Sequence, residues 1–289
     1  MSNSYLDTQI ENRSAQAGNI GQLLLDSGKL DPQQAEQTLL YQREQGIKFG
    51  QAAVALGFVD EKDIAEVLSL QFAYPYLIKG ESELDPKLIA AYEPFSPQVE
   101  SLRSLRTQLM LRWFSLGNKL AMFAGYESNI GCSLTVANLA IVFSQLGERT
   151  LIIDGNLRQP HQHKLFGKEN ERGLTDILVQ RASTECVQKI ESLRGLYLLT
   201  AGTAAPNPQE LLARPQLLRT LNTLQLDYDV VLIDSAPLKE SSDAQLLGTL
   251  AKSAVLVCQK DRSKMRNTEK LHAAMKMTGA QLLGVILTE

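Results

Sequence analysis

The stretch KLAMFAGYESNIGCSLTVANLAIVFSQLGERTLIIDGNLRQP, residues 119–160, leaves few folds open to this chain. It reads as an apolar strand over 119–124, a loop, a helix over 131–146 and a second apolar strand over 150–154. That order predicts a βαβ unit whose loop opens onto a helix N-terminus, where free backbone N–H groups and the helix dipole hold anions. Gly131, Cys132 and Ser133 stand where a phosphate-binding loop carries glycine, lysine and serine or threonine. The lysine is missing, so the chemistry of the whole chain turns on whether that loop still holds a nucleotide.

At 289 residues the chain has room for one large or two modest domains. A hydrophobic content of 44% with 21% charged residues is that of a globular protein. A net charge of −3 gives no basic footprint for nucleic acid, so none is expected as a partner. Three scattered cysteines and three histidines supply neither a disulfide framework nor a paired metal motif. No apolar run has the length of a membrane span, and the first residues lack the charged and apolar regions of a signal peptide. A cytoplasmic location is the expectation.

Residues 1–18 are polar and aperiodic and read as a flexible tail. An internal repeat follows: 19–42 is echoed by 48–71 at a constant offset of 29. Gly21 matches Gly50, Gly28 matches Gly57, Asp31 matches Asp60 and Gln42 matches Gln71. Each unit predicts a short apolar helix ending at a glycine, then an Asp cap opening a second helix, with Pro32 reinforcing the first such start. Leu30, Ala35 and Leu39 recur as Val59, Ile64 and Leu68, giving both units one apolar face and hence a small helical domain over 19–71. The repeat resembles the cyclic-di-GMP-binding N-terminal domain of type II secretion and pilus assembly ATPases in unit length, gap, glycines and terminal glutamines. That resemblance implies dinucleotide contacts at Gly21, Gln42, Lys48, Gly50 and Gln71. The family's leading arginine is Asn19 in one unit and Lys48 in the other, and lysine lacks the bidentate, stacking guanidinium. A helical interaction module without a ligand therefore stands beside the dinucleotide reading.

From 72 to 95, prolines and a glycine break the pattern, which predicts a linker with some packed structure. Ser96 then caps a helix on which Glu100, Arg103 and Arg106 share one face; spacing alone is satisfied by a solvated ion-pair face. Further on, 173–178 reads as a short helix, 195–202 as a strand, the segment from Asn207-Pro208 as a helix, and 227–237 as a strand ending at Asp234. Buried strands at 253–259 and 282–287 flank a helix over 264–278. Apolar strands alternating with helices predict an α/β doubly wound, mainly parallel sheet, with Cys132, Asp154 and Asp234 converging beyond the strands' carboxyl ends.

With SPQVESLRSLR, ANLAIVFSQLGERTLIID, NLRQPHQHKLF, GLTDIL, AGTAAPNPQELL and DYDVVLIDSAP in that order, residues 96–289 resemble the bacterial tyrosine kinases of exopolysaccharide assembly, of the EpsG type, a MinD/ParA-like branch of P-loop proteins. The resemblance implies ATP and Mg²⁺ as cofactors. It implies catalytic roles for Asp154 and Asp234, metal ligation by Ser133, Asp154 and Asp234, and nucleotide contacts from Gly131, Cys132, Ser133, Arg158 and Thr288. It also implies a ring-forming homo-oligomer built through Glu100, Arg103 and Arg106, and recruitment to the inner membrane by a polysaccharide co-polymerase.

The departures are as informative. The loop cation is Cys132, a family glycine is Asn129, and Glu127 brings a negative charge to the phosphate region. The second motif reads Asp154-Gly155-Asn156 in place of Asp-x-Asp, and the adenine-reading asparagine is Thr288. The last tyrosine is Tyr228, so the tyrosine cluster that such kinases modify is not in this sequence. These features predict a regulator of exopolysaccharide chain length and export with a degenerate nucleotide site. An active tyrosine autokinase and a cyclic-di-GMP effector are the alternatives.

Overall fold

The computed structural model describes residues 20–61, 63, 64, 67, 77 and 82–289. The tail over 1–18, Asn19, Leu68 and Gln71 lie outside the described residues. The chain divides into two compact units, Met1–Tyr76 and Leu77–Glu289.

In the first unit α1 (Ile20–Asp26), α2 (Pro32–Gln45) and α3 (Phe49–Ala55) surround a core of Leu24, Leu30, Ala35, Phe49, Ala53, Val59 and Val67. The repeat is visible in its caps. Asp31 accepts from the backbone of Gln34 at 2.8 Å while the Gln34 side chain accepts from the backbone N–H of Asp31 at 3.0 Å. Asp60 and Asp63 make the same reciprocal box at 2.8 and 2.9 Å. Gly28 and Gly57, at φ 69° and 70°, end the preceding helices in the left-handed conformation. The Lys29–Asp63 ion pair joins one repeat to the other. Gly21 and Gly50 are close-packing positions: a methyl at the first would meet the Phe49 ring at 3.2 Å and at the second Ile64 at 3.3 Å. The expected apolar face is cut short, since Leu39 is 43% exposed while its neighbour Thr38 is buried.

The second unit is built on a seven-stranded sheet of β1 (Leu120–Gly125), β2 (Thr150–Asp154), β3 (Gln188–Lys189), β4 (Leu196–Leu199), β5 (Val230–Asp234), β6 (Ser253–Gln259) and β7 (Gln281–Thr288), in the order β3-β4-β2-β5-β1-β6-β7. Every neighbouring pair is parallel except β3–β4. The strands' alternation divides the core in two. Ala121, Phe123, Ile152, Leu232 and Val255 face one layer with α4 (Ile89–Tyr92), α5 (Pro97–Arg112) and α6 (Cys132–Gln145). Met122, Leu151, Ile153, Val231 and Leu256 face the other, with α8 (Leu174–Leu178), α9 (Pro208–Leu212), α10 (Pro215–Asp227), α11 (Asp243–Ala251) and α12 (Met265–Met277). A short α7 (Gln162–Leu165) follows β2. The doubly wound sheet expected from the apolar runs is the observed fold.

Three local expectations need correction. The helix opening at Asn207-Pro208 is two helices, because Pro215 has no N–H to continue the first and starts a new one. The last strand is not buried: it is the sheet's edge, and Val285 and Leu287 are 55% and 66% exposed. The two-residue β3, at the opposite edge, carries no apolar signal and was not foreseen.

The packed structure within the 72–95 stretch belongs to the sheet unit's own core. Leu84, Leu88, Ala90, Ala91 and Tyr92 are buried against α6. Asn138, on α6 and buried, reads that segment's backbone in both directions: its Oδ1 accepts from Ala90 N–H at 2.9 Å and its Nδ2 donates to Lys87 C=O at 3.3 Å. Gln145, the last residue of α6, donates to Ala90 C=O at 2.8 Å. Replacing Asn138 by alanine leaves a buried N–H unpaired, so urea denaturation is expected to show a loss of about 1–3 kcal/mol. An unchanged midpoint would mean that Asn138 does not hold this segment.

Candidate functional site

The loop between β1 and α6 keeps the backbone of an anion cradle. A methyl at Gly125 would lie 2.3 Å from Ile130 Cδ1, so any side chain there would displace buried Ile130. Asn129 and Gly131 both turn left-handed, at φ 57° and 83°. Asparagine at the family's glycine position therefore preserves the required conformation, being among the side chains that tolerate it. Four further side chains fix the loop. Arg262 Nη1 donates to Asn129 C=O at 2.7 Å and Thr288 Oγ1 to Ile130 C=O at 3.1 Å. Asn267 Nδ2 holds Glu127 Oε1 at 2.9 Å, and Ser128 Oγ bonds Glu240. Thr288, expected to face a nucleotide base, is thus engaged with the loop backbone. Glu127's charge is drawn towards α12.

A cleft of about 670 Å³ opens beside this loop, within the range of small-molecule sites. Glu127 to Leu134 line one side; Asn156, His161, His163 and Lys164 line the other, and Lys87 also contributes. Asn156 accepts from Gln159 N–H at 3.1 Å, turning the chain after β2 into the cleft wall.

Beneath lie the two carboxylates. Asp154 and Asp234 are direct partners in the β2–β5 register, both fully buried. Asp154 accepts three backbone N–H groups, from Asn156 at 3.3 Å and from His161 and Gln162 at 2.9 Å each. Burial, and then the charge of Asp234, nevertheless raise its pKa to about 7. Asp234 is also raised, chiefly by burial, against the opposing effect of hydrogen bonding from Ser133, Gln162 and Cys132. Gln162 Nε2 bridges Asp234 Oδ2 at 2.8 Å and Ser133 C=O at 3.0 Å. Asp234 Oδ1 is buried without a hydrogen-bond partner. Cys132 is partly exposed, yet burial of its thiol and the nearby Asp234 push its pKa well up. It is a neutral thiol where the resemblance implies a cation.

The remaining expected residues divide. Arg158 turns from the cleft to clasp buried Asp243 on α11, Nε–Oδ2 at 2.7 Å and Nη2–Oδ1 at 3.3 Å. On α5, Arg103 pairs with Glu100 at 3.0 Å and also donates to Pro94 C=O. Arg106 donates to Val142 C=O at 2.6 Å. Both arginines therefore serve contacts within the chain, and Glu100, 68% exposed, is the outward member. Gln162, Asp243, Asn138 and Lys87 were not foreseen. Lone polar residues without spacing carry no sequence signal; the only hint at Gln162 was its place inside the motif that follows β2.

Mg²⁺ takes one or two carboxylates plus phosphate oxygens and water instead of a protein cage. The described residues contain no group of three or more His, Cys, Asp or Glu able to hold a metal alone. The unpartnered Asp234 Oδ1 with the adjacent Ser133 hydroxyl suits that thinner demand. Asp154, spent on three N–H groups, suits it less well. Nucleotide phosphates fit the loop backbone, where the α6 N-terminus faces the cleft.

No protein-family model matches the chain. It is 34% identical to tyrosine-protein kinase YwqD of Bacillus subtilis, over 71% of this chain and 87% of that protein. It is 30% identical to the putative tyrosine-protein kinase CapB of Staphylococcus aureus, over 74% and 93%. It is 33% identical to the putative tyrosine-protein kinase EpsB of Ralstonia nicotianae over 69% of its own length but 26% of that longer protein. The kinase domain of the Escherichia coli tyrosine kinase ETK superposes with a TM-score of 0.69 at 27% identity, covering 73% of this chain and 82% of that one. The septum site-determining protein MinD of Pyrococcus horikoshii, at 23% identity and TM-score 0.50 over 59% and 70%, shares the fold.

The buried carboxylates make a pH prediction. Between the ordinary Asp value of 3.8 and about 7, folded Asp154 keeps a proton that the unfolded chain releases. The stability so gained is complete below the lower value and is lost as pH rises through the upper one. His163, lowered mainly by burial, acts in the opposite sense, so the comparison that isolates Asp154 is wild type against Asp154→Asn. Calorimetric melting without nucleotide should fall more steeply from pH 5.5 to 8.5 in the wild type; parallel profiles would overturn the assignment.

Proposed function

The chain belongs to the bacterial tyrosine-protein kinase family, and we propose that it is a regulatory member that holds Mg-ATP but transfers its phosphoryl group poorly. The observation that carries this reading is the contrast within one loop. The backbone cradle, Ser133 and Asp234 are in place, while the neutral thiol of Cys132 fills the cation's position. Backbone N–H groups and the helix dipole bind phosphate in the ground state. Phosphoryl transfer asks more, because charge moves onto the leaving oxygens and a fixed cation there lowers the barrier.

Mg²⁺, when bound at Ser133 and Asp234, supplies charge neutralisation and orientation of the phosphates. Asp154 and Asp234, with raised pKa values, provide a place for a proton near the reacting oxygens. Asn156, replacing a carboxylate, hydrogen-bonds but takes no proton.

The family resemblance supports a role in exopolysaccharide chain-length control and export, a homo-oligomer formed through the Glu100 face of α5, and an inner-membrane co-polymerase as the docking partner. Deleting the protein and finding polymer length and yield unchanged would sink that role. None of the described helices is long and apolar enough to cross a membrane.

Binding of a fluorescent ATP analogue with Mg²⁺ tests the central claim. Wild type should bind weakly and Cys132→Lys about tenfold to a hundredfold more tightly, the worth of one charge-assisted bond. Tyrosine phosphorylation should be appreciable only in the lysine variant. Absence of binding in both would make the unit a scaffold, and equal transfer by both would make the wild type an active kinase.

A further inference from the structure

We propose that Lys87, which lies outside the phosphate-binding loop, supplies the positive charge that the loop lacks and neutralises the terminal phosphates of the bound nucleotide. The inference rests on the nucleotide-binding reading above and adds to it the residue that recognises the phosphates.

A nucleoside triphosphate brings several negative charges into a cleft whose loop offers none in return. Cys132 is neutral there, Arg158 is committed to Asp243, and Arg262 is committed to the loop's own backbone, which leaves Lys87 and Lys164 as the lysines that line the cleft. Lys87 lines the same cleft, is exposed, and its ammonium group makes no hydrogen bond or ion pair with any described residue. An unpaired surface lysine alone would mean little. What distinguishes this one is how its backbone is held.

The Lys87 carbonyl accepts from Asn138 Nδ2, the Ala90 N–H donates to Asn138 Oδ1, and the Asp85 N–H donates to Leu165 C=O at 2.9 Å. Leu84 and Leu88 on either side are buried. Lys87 is therefore fixed between α6, whose N-terminus is the phosphate cradle, and the end of α7, which forms the opposite wall. Asn138 lies six residues after Cys132 on α6, about 9 Å along the axis at the helical rise. A four-carbon stem ending in a mobile point charge spans much of that distance. The chain thus spends a buried asparagine on positioning a segment whose Lys87 lines the cleft.

The test is titration of the full-length protein with Mg-ATP, Mg-ADP and AMP, comparing wild type with Lys87→Ala and Lys87→Arg. The Lys87 side chain has no partner among the described residues to lose, so the alanine variant should melt with the wild type. It should bind ATP about tenfold more weakly, ADP less affected and AMP unchanged, with Lys87→Arg restoring ATP binding. Undiminished ATP affinity in Lys87→Ala, or equal weakening for all three nucleotides, overturns the inference while leaving the nucleotide site standing. A wild type that binds none of them overturns both.

Discussion

Two carboxylates side by side at the dry ends of parallel strands set the terms for everything around them. At a strand spacing of about 4.8 Å, two full charges repel by roughly 3–4 kcal/mol even at an effective dielectric of about 20. Asp154 answers with three backbone N–H groups, each worth about 1.5–3 kcal/mol to a charged acceptor. Together these outweigh the repulsion. Desolvation takes much of the gain back, and the carboxyl stays near neutrality. The same three bonds dictate the path of residues 156–162. They start α7, form the far wall of the cleft, and bring Gln162 under Asp234. The cleft's shape is a consequence of making this pair tolerable.

The loop above is governed by a different balance. Its conformation needs positive φ at two places and no side chain at Gly125, and all three conditions are met. Its charge is another matter. A thiol at 132 is small, protonated and directed to Asp234, so it fills space and leaves the phosphates to backbone dipoles. Conformation and charge have come apart: the first survives the loss of the second because Arg262, Thr288 and Asn267 hold the loop from β7, α12 and their connections.

Much of this was legible beforehand, and the reason is periodicity. Strands buried on both faces announce themselves as apolar runs, so β1, β2 and β6 match their expected bounds within a residue and β5 within three, with Asp154 and Asp234 at the ends of β2 and β5. Capping chemistry is equally local, and Asp31, Asp60 and Ser96 cap as their positions implied. What sequence could not give was direction. Arg158 lies in the expected motif but is turned to Asp243 on α11, 85 residues away. Arg103 and Arg106 share the expected face and are used inwardly. β7 has an apolar pattern like that of its neighbours, and only the strand order makes it an edge. For the 72–95 stretch the prolines mark a broken pattern with some packing, but what it packs on is decided by Asn138 and Gln145, about 50 residues downstream.

That last segment connects the altered loop to a consistent account of the site. A lysine within the loop moves with the phosphates and sits where charge develops as the terminal phosphoryl group departs. A lysine delivered from residue 87 approaches from the wall, on a stem anchored to the second turn of α6. Such a cation meets a triphosphate's charge before and during transfer to a similar extent, and an interaction equal in ground and transition states tightens binding without raising the rate. The carboxylates point the same way, since Asp154 is already occupied by the chain's own N–H groups. On the two readings proposed above, an intact cradle, a cation supplied from residue 87 and an Asp154 carboxyl spent on the chain's own N–H groups would together favour holding a nucleotide over spending it.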